Sequence, residues 1–351
     1  MEVALAALYA FLLIVRVVLA LRHAGRETAG DPGTFIQPIL SGDPLLEPTL
    51  ARNLAAHPDA EFIWMVDEDD DEAQRIAALY ARPNLRVIIG PAPRNGENPK
   101  LAKLVRALPH VMTERLTVLD DDTFLPEPLP AGDLVTGLPI FAAKSSIYER
   151  LIGGFVNGNA LLTYLPAARL NMQGTINGMI YALDTEQLRA LGGFAAAGHE
   201  LTDDYAVARL YLRNGIGITQ SCRPAFVVMT VATAAHYVRV MRRWMIFARR
   251  YFGDNRSAVL WISVPTILPL AGLFTRPLLC LVILAVKAFT NRAVLWRVTG
   301  VKSTPLDLLF ECASDLLTPI LMVLAFIQPR RLTWRTRNIE LSRSDGRIQY
   351  K

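Results

Sequence analysis

Acidic residues form three clusters in this 351-residue sequence, and their spacing suits chemistry as well as ordinary structure. The clusters are residues 67–72 (DEDDDE), residues 120–122 (DDD) and residues 203–204 (DD). In an extended segment the first and third side chains share a face, so Asp120 and Asp122 are expected to converge. Converging carboxylates at a strand end favour a hard cation such as Mg²⁺ or Mn²⁺. Each cluster alone is also compatible with a turn or with the acidic first turn of a helix.

Basic residues stand at two further positions where they could meet an anion or a membrane. A loop of residues 91–100 (PAPRNGENPK) ends in Asn98, Pro99 and Lys100. Pro99 suits the first turn of a helix, where Lys100 and the helix N-terminus could together face an anion. Residues 237–252 (YVRVMRRWMIFARRYF) form a basic amphipathic stretch. That pattern is typical of a helix lying at a membrane surface.

Short apolar runs precede the acidic clusters and predict the elements that position them. Strands are predicted at residues 34–40, 61–66, 85–90 and 115–119, and helices at residues 45–56, 71–82 and 99–108. This alternation predicts an α/β fold, a Rossmann-like and mostly parallel sheet with helices on both faces. Ligands of such sheets bind beyond the carboxyl ends of the strands. We therefore expect the acids and Lys100 to gather at one edge.

The composition indicates that part of the chain lies in lipid. Apolar residues make up 52% of the sequence and charged residues 20%, whereas a soluble globular chain carries about 25% charged residues. Residues 3–21 form an apolar segment long enough to cross a hydrocarbon core of about 30 Å. Arg22, His23 and Arg26 follow it, which under the positive-inside rule places the next region in the cytoplasm.

A second apolar block, residues 257–328, predicts two to three C-terminal spans. Residues 257–275 and 306–327 are each long enough to span, whereas residues 278–289 are short and are either re-entrant or a tilted span. The basic tail that follows, residues 329–337 (PRRLTWRTR), favours the cytoplasm.

Three acids inside this block have a regular spacing. Asp307, Glu311 and Asp315 recur every four residues and share one helical face, which should point at protein or water. The three cysteines lie far apart, which argues against a zinc site and a disulfide framework. The modest net charge of +5 does not indicate a nucleic-acid partner.

In their order and spacing, these motifs resemble the ceramide glucosyltransferase family, membrane-bound GT-A glycosyltransferases, and the chain looks like a bacterial homologue. The matching segments are residues 37–44 (QPILSGDP), 66–73 (VDEDDDEA), 95–100 (NGENPK), 119–123 (LDDDT), 137–139 (GLP), 176–194, 202–205 (TDDY), 243–244 (RW) and 334–336 (WRT). One position departs from the family: Val240 stands where Gln or Arg is expected three residues before Arg243.

The resemblance implies an inverting transfer of a sugar from a UDP-sugar to the primary hydroxyl of ceramide, in glycosphingolipid synthesis, with help from a divalent metal. Its implied partners are the UDP-sugar, ceramide or a related lipid, and the bilayer, which is the inner membrane in a bacterium. The implied division is an N-terminal span (residues 1–24), a cytoplasmic GT-A domain (31–235), an interfacial helix (236–256), a membrane region (257–328) and a basic tail (329–351).

The resemblance also implies roles for individual residues. The groups that would hold the donor are Asp67 and Asp71 for the uridine, and Asn98, Lys100, Asp120 and Arg243 for the rest of the nucleotide sugar. The implied metal ligands are Asp120 and Asp122. Asp204 would be the general base, and Trp244 would line the acceptor side.

Other functions stay open at this point. A hopanoid-biosynthesis-associated glycosyltransferase with a glycerolipid acceptor would carry the same motifs. A processive polysaccharide synthase is disfavoured, because such enzymes carry more spans and an intact QxxRW motif. A non-catalytic membrane scaffold would explain the hydrophobicity but would not require acids at successive strand ends. An ion transporter built on the acids of the last span would have too few spans around them.

Overall fold

The structure is a computed structural model that describes residues 2–94, 96–198, 200–254, 276–326, 331–335, 337–344 and 347–350. Its strands are β1 (Thr34–Pro38), β2 (Glu61–Asp67), β3 (Leu85–Gly90), β4 (Arg115–Leu119), β5 (Thr123–Phe124), β6 (Leu134–Phe141), β7 (Ile180–Asp184), β8 (Thr219–Val227), β9 (Arg331–Trp334), β10 (Arg337–Ser344) and β11 (Arg347–Tyr350). Its helices are α1 (Glu2–His23), α2 (Leu46–Ala56), α3 (Asp71–Ala78), α4 (Pro99–Ala107), α5 (Ile147–Arg169), α6 (Thr185–Ala190), α7 (Asp203–Arg213), α8 (Ala234–Asp254), α9 (Pro277–Thr299) and α10 (Pro305–Phe326). The strands and helices predicted before residue 120 are confirmed, with ends that move by a few residues.

The chain divides into two compact units. The sheet unit comprises residues 27–139, 174–230 and 329–351, and the helical unit comprises residues 1–26, 140–173 and 231–328. This division differs from the predicted boundaries in two segments. Residues 140–173, which carry α5, belong to the helical unit and not to the predicted GT-A domain. The tail after residue 329 belongs to the sheet unit.

An eight-stranded sheet with the order β3-β2-β1-β4-β7-β6-β8-β5 organises the first of these units. The pairings β3–β2, β2–β1 and β1–β4 are parallel, as predicted from the strand–helix alternation. The other half of the sheet brings antiparallel pairings, β4–β7, β7–β6 and β8–β5, which the sequence pattern did not predict. Because β2, β1 and β4 are parallel neighbours, the residues that follow them meet at one edge.

Both faces of the parallel strands are buried, which explains their nearly continuous apolar sequences. Alternate residues of β1 enter two different cores: Phe35 packs in one and Ile36 in the other. In β2, Trp64 joins the first core and Met65 the second. Helices α2 and α3 cover the first core, and α4 and α7 cover the second. The predicted arrangement of helices on both faces is therefore confirmed.

Three described helices of the helical unit are long and apolar enough to cross a membrane. The segments are Ala6–His23, Pro277–Thr299 and Pro305–Ala325. The short run at residues 278–289 is part of the second of these, a continuous helix of 23 residues, so its length suits a complete span. The predicted span at residues 257–275 lies outside the described residues.

The acids on the last helix face protein, as their spacing predicts. Glu311 and Asp315 are 0% and 3% exposed, and both lie close to the ammonium of Lys287, at 3.2 and 2.7 Å. The guanidinium of Arg292 is 2.6 Å from Glu311, and Lys144 is 2.9 Å from Asp307. Each acid thus has a counter-ion, as a charge buried away from water requires.

Two glycines let α5 approach α10 closely. A Cβ atom on Gly154 would lie 2.3 Å from the carbonyl oxygen of Phe310, and one on Gly158 would lie 2.7 Å from the Glu311 side chain. Small residues four positions apart allow helix backbones to come together in this way.

This contact yields a stability prediction. Gly154→Ala should destabilise the protein by roughly 1–3 kcal/mol, because the new methyl group collides with backbone that has no space to give. Gly153→Ala is the matched control, since a Cβ there would sit 3.6 Å from the Phe141 ring, an ordinary contact. Thermal melting of the two variants in detergent makes the comparison. Equal melting temperatures would contradict the close packing of α5 on α10.

Candidate active site

The acidic clusters meet at the carboxyl edge of the parallel strands. Asp67 is the last residue of β2, the Asp120–Asp122 cluster follows β4, and β1 runs between these two strands. Lys100 comes from the first turn of α4 and forms ion pairs with acids of the second and third clusters. The sequence expectation that acids and Lys100 share an edge is met by this arrangement.

Asp67 is almost completely buried, at 1% exposure, and is surrounded by cations. Its Oδ2 lies 3.0 Å from the ammonium of Lys103 and 2.8 Å from the guanidinium of Arg337. Its Oδ1 accepts no hydrogen bond within the described part of the chain. Nη2 of Arg106 lies 3.9 Å from that oxygen and is likewise without a hydrogen-bond partner there.

Asp70 and Asp71, two further acids of the first cluster, differ in their surroundings. Asp70 is the N-cap of α3 and accepts hydrogen bonds from the backbone N–H groups of Ala73 and Ser41, at 3.1 and 2.9 Å. Asp71 is the first residue of α3 and is exposed. Of the two candidates for a uridine contact, Asp67 therefore joins the buried cluster and Asp71 does not.

Lys100 is 5% exposed and is already paired. Its ammonium lies 2.7 Å from Asp120 and 3.0 Å from Asp203, and it also donates to the carbonyl of Gly178. Burial acts to lower the pKa of Lys100, but the two carboxylates outweigh it and hold the pKa above its ordinary value. The lysine thus organises the acids of two clusters, and its predicted role at the diphosphate of the donor stays a prediction.

Asn98 positions Lys100 from one residue before the helix. Its side-chain oxygen accepts hydrogen bonds from the backbone N–H groups of Lys100 and Leu101, at 3.0 and 3.1 Å. Its amide nitrogen donates to the carbonyl of Leu201 at 3.3 Å. This N-cap therefore ties the start of α4 to the segment that leads into α7.

The Asp120–Asp122 cluster is a turn and not an extended segment. The carbonyl of Asp120 accepts a hydrogen bond from the N–H of Thr123 at 3.0 Å, so the alternation expected for a strand does not apply. Asp121 is 6% exposed, and its carboxylate accepts a hydrogen bond from the N–H of Leu40 at 2.8 Å. Among the described residues no three acidic, histidine or cysteine side chains form a preassembled metal site.

Burial and repulsion between like charges raise pKa values in the same turn. Burial raises the pKa of Asp120, and the charges of Asp122 and Asp203 raise it further against the opposing effect of Lys100. Burial also raises the pKa of Asp122. Because the charge of Asp122 makes Asp120 harder to ionise, a positive charge added beside these carboxylates is favoured.

Asp204 stands apart from the ion pair made by its neighbour. Asp203 faces Lys100 and accepts a hydrogen bond from the Tyr181 hydroxyl at 3.3 Å. The Oδ1 of Asp204 accepts from the N–H of Tyr205 at 2.7 Å, and a Cβ atom at Gly178 would approach its Oδ2 to 3.1 Å. Burial, followed by the charge of Asp203, raises the pKa of Asp204 to about 6.

The pairing of Asp203 with Lys100 was not predicted from the sequence, because only the fold brings these two residues together. Thr202 is the N-cap residue of α7, although its side chain makes no capping hydrogen bond.

Arg243 and Trp244 lie on α8 of the helical unit and are half-buried. The Trp244 ring stacks with Phe155 at a centroid distance of 6.2 Å. Val240, the departure from the family motif, is 4% exposed, so its apolar side chain serves packing within this unit. The predicted roles of Arg243 and Trp244 in donor and acceptor binding stay predictions.

The C-terminal tail supplies site contacts that were missed. Strands β9, β10 and β11 form an antiparallel sheet in the same unit as the acids. Arg335 pairs with Asp121, at 2.7 Å, and Arg337 pairs with Asp67. In the sequence, the match of residues 334–336 (WRT) to a motif of the similar family was the signal that pointed to this segment.

Solved structures of two other proteins are similar to this chain. A mannosyltransferase from Pyrobaculum calidifontis, solved in complex with GDP-Man and Mn²⁺, is similar with 17% identity and a TM-score of 0.51, over 93% of this chain and 96% of that chain. Glucosyl-3-phosphoglycerate synthase from Mycobacterium tuberculosis, solved with Mn²⁺, UDP and phosphoglyceric acid, has 16% identity and a TM-score of 0.36, over 62% and 78% of the two chains. No curated protein sequence matches the chain. The first similarity confirms the predicted GT-A fold.

A sequence family accounts for nearly the whole chain. Glycosyl transferase family 21 matches residues 1–348, from the first apolar helix to the end of the tail. It is the ceramide glucosyltransferase family that the sequence motifs resemble. The protein is therefore a glycosyltransferase and belongs to glycosyl transferase family 21.

Proposed function

We propose that this protein transfers a sugar from a UDP-sugar to the primary hydroxyl of a membrane lipid, ceramide or a close relative, at the cytoplasmic face of the membrane. The observation that carries the proposal is that the buried acids lie in two different environments. One set lies at the ends of β2 and β4 among fixed cations, while Asp204 is separate and has a pKa raised to about 6. Donor binding and proton transfer need such different environments.

The end of β2 is suited to the base of the donor. The unpaired Oδ1 of Asp67 is an acceptor, and the unpaired Nη2 of Arg106, 3.9 Å away, is a donor. The edge of uracil presents the complementary pair, an N3–H donor beside a carbonyl acceptor. A ligand that forms hydrogen bonds with both of these buried atoms is strongly preferred over a similar ligand that forms neither. The second ligand would leave buried polar atoms without partners.

The residues after β4 fit a divalent cation. Asp120 and Asp122 supply oxygen donors, which Mg²⁺ and Mn²⁺ prefer, and the charge of Asp122 raises the pKa of Asp120. When bound, such a cation would neutralise charge that develops on the departing UDP. The complexes of the mannosyltransferase and the synthase with Mn²⁺ support the same assignment.

Asp204 is the group that receives the acceptor proton. During transfer the bond from the sugar C1 to the phosphate oxygen breaks, a bond from C1 to the lipid oxygen forms, and the hydroxyl proton passes to the Asp204 carboxylate. A base whose pKa lies near the working pH is efficient, and the raised pKa meets that condition. A single displacement of this kind inverts the configuration at C1.

The apolar helices support a lipid acceptor. A chain with three helices that can span a membrane is held at the bilayer, where a lipid hydroxyl is available without extraction of the lipid.

The proposal is tested by incubating the purified protein with a lipid and a UDP-sugar and by analysing the lipids by mass spectrometry. The lipids are ceramide and diacylglycerol, and the donors are UDP-glucose, UDP-galactose, UDP-glucuronate and UDP-N-acetylglucosamine. A glycosylated ceramide is expected. A product formed only from diacylglycerol would favour the glycerolipid alternative, and no product from any pair would contradict the proposal.

Asp204→Asn should transfer sugar at least about a hundredfold more slowly and keep its donor affinity, because an amide takes up no proton at neutral pH. In the wild type, kcat should rise with pH through about 6 and then level, since the base acts when ionised. The folded-state pKa is raised above the unfolded value, so ionised Asp204 lowers stability at neutral pH. The variant should therefore melt no lower than wild type at pH 7.5. Steady-state kinetics from pH 5 to 8 and thermal melting provide these measurements.

Asp203→Asn is the matched control, because this acid adjoins Asp204 but faces Lys100. The KM for the UDP-sugar should rise in this variant, while kcat at pH 7.5 is retained. The pH at which kcat levels should fall, because the charge of Asp203 contributes to the raised pKa of Asp204. A larger loss of kcat for Asp203→Asn than for Asp204→Asn would contradict the assignment of the base.

Asp122→Asn should raise the Mn²⁺ concentration needed for half-maximal transfer by at least roughly tenfold, because one oxygen ligand loses its charge. Asp59→Asn removes an exposed acid elsewhere in the sheet unit and should leave that concentration unchanged. Activity titrations with Mn²⁺ in both variants make the comparison. An unchanged requirement in Asp122→Asn would mean that this acid serves only the turn.

Arg243→Ala should raise the KM for the UDP-sugar and leave the KM for the lipid nearly unchanged, because a guanidinium suits paired phosphate oxygens. Arg75→Ala is the control, since Arg75 is exposed and pairs only locally with Glu72. The kinetics of both variants with varied donor and varied acceptor separate the two constants. Donor kinetics equal to those of wild type would leave α8 with a membrane-surface role alone.

A further inference from the structure

A tight turn between β9 and β10 brings an arginine to the acidic edge of the sheet unit. Trp334 and Arg337 are paired across the two strands, so Arg335 stands in the connecting turn. Its guanidinium makes two parallel contacts with Asp121, with both Nη–Oδ distances at 2.7 Å. One of these nitrogens also donates to the carbonyl of Leu40, and the other is 3.4 Å from Asp122.

These contacts join the ends of two neighbouring strands. Leu40 follows β1, and Asp121 and Asp122 follow β4. The N–H of Leu40 also donates to Asp121 at 2.8 Å, so the carboxylate, the backbone and the guanidinium form one closed network. The Arg335 side chain is only 10% exposed. This network therefore differs from exposed ion pairs, which contribute little to stability because water screens them.

The backbone at Arg335 gives an independent indication that its side chain matters. Its φ is +48°, in the left-handed region that favours glycine, asparagine and aspartate. Two-residue turns between antiparallel strands select those residues for this reason. An arginine therefore occupies a position where the turn itself favours another residue. Strained backbone that persists in this way clusters at functional sites.

We propose that Arg335 is a positioning residue of the donor site. By holding Asp121 and the carbonyl of Leu40, it fixes the turn on which Asp120 and Asp122 present their carboxylates to the cation and the nucleotide diphosphate. The inference rests on the proposed function, since it concerns the same cation and donor. It assigns to the tail a part in donor binding, in a segment far from the acids in sequence.

Arg335→Gly is the sharpest test, because glycine relieves the strained turn while it removes the guanidinium. Arg335→Lys keeps the charge but loses the two-pronged geometry. The readout is the Mn²⁺ concentration that gives half of the UDP-induced rise in melting temperature, measured on the full chain in detergent. Arg335→Gly should require at least tenfold more Mn²⁺ than wild type, and Arg335→Lys an intermediate amount. Arg75→Ala, which removes an exposed arginine, should match wild type.

A partial rescue of Arg335→Gly by millimolar guanidinium, with no effect of guanidinium on Arg75→Ala, would further support the role. An unchanged Mn²⁺ requirement in both Arg335 variants would overturn the inference, even if their melting temperatures without ligand change. Tighter UDP binding in Arg335→Gly would also overturn it, because the arginine would then compete with the cation. Wild-type protein that shows no UDP response would contradict the proposed function itself, whereas a response shared by all variants contradicts this inference alone.

Discussion

Buried carboxylates at the carboxyl edge of a parallel sheet are the constraint on which the rest of this site depends. Taking an ionised acid out of water is costly unless a cation or several hydrogen bonds compensate for the lost hydration. Asp67, Asp120 and Asp121 each meet this requirement with a basic side chain from a distant part of the chain. The result is an edge that carries fixed charges of both signs before any ligand is bound.

Such an edge is preorganised for a ligand that itself carries both signs. A nucleoside diphosphate with its divalent cation brings negative oxygens and a compact positive charge, and can exchange partners with acids and bases already in place. Asp204 lies outside the ion pairs that the described residues form, and its carboxylate, with a pKa raised to about 6, is the one we propose for proton transfer. The same acids would be a liability in a purely structural protein, because apolar residues of similar size pack without any such requirement.

Local sequence patterns predicted those features that depend on local chemistry. Apolar runs identified β1 to β4, and Pro99 marked the start of α4, since these signals require only neighbouring residues. The four-residue spacing of the acids in α10 predicted their shared buried face for the same reason. The antiparallel half of the sheet and the membership of α5 in the helical unit depend on contacts between distant segments, and no local pattern encodes them.

In the site, too, local patterns predicted positions along the chain but not contacts between distant residues. The strand-end positions of the acids were predicted, but residues 120–122 were taken as an extended segment and form a turn in the structure. The pairing of Asp203 with Lys100, and of Arg335 with Asp121, joins residues about 100 or more positions apart. Only the folded chain brings such charges together, so only the structure could identify Arg335 as part of this edge.

The most direct test of this account is equilibrium binding of UDP to the purified full-length protein in detergent, with and without Mn²⁺, alongside UDP methylated at N3 of the base. The account predicts that UDP binds when Mn²⁺ is present and at least tenfold more weakly without it. Methylation should weaken binding by a similar factor, because the unpaired Oδ1 of Asp67 then meets no N–H. Equal affinity for UDP with and without Mn²⁺, together with equal affinity for the methylated nucleotide, would contradict the account.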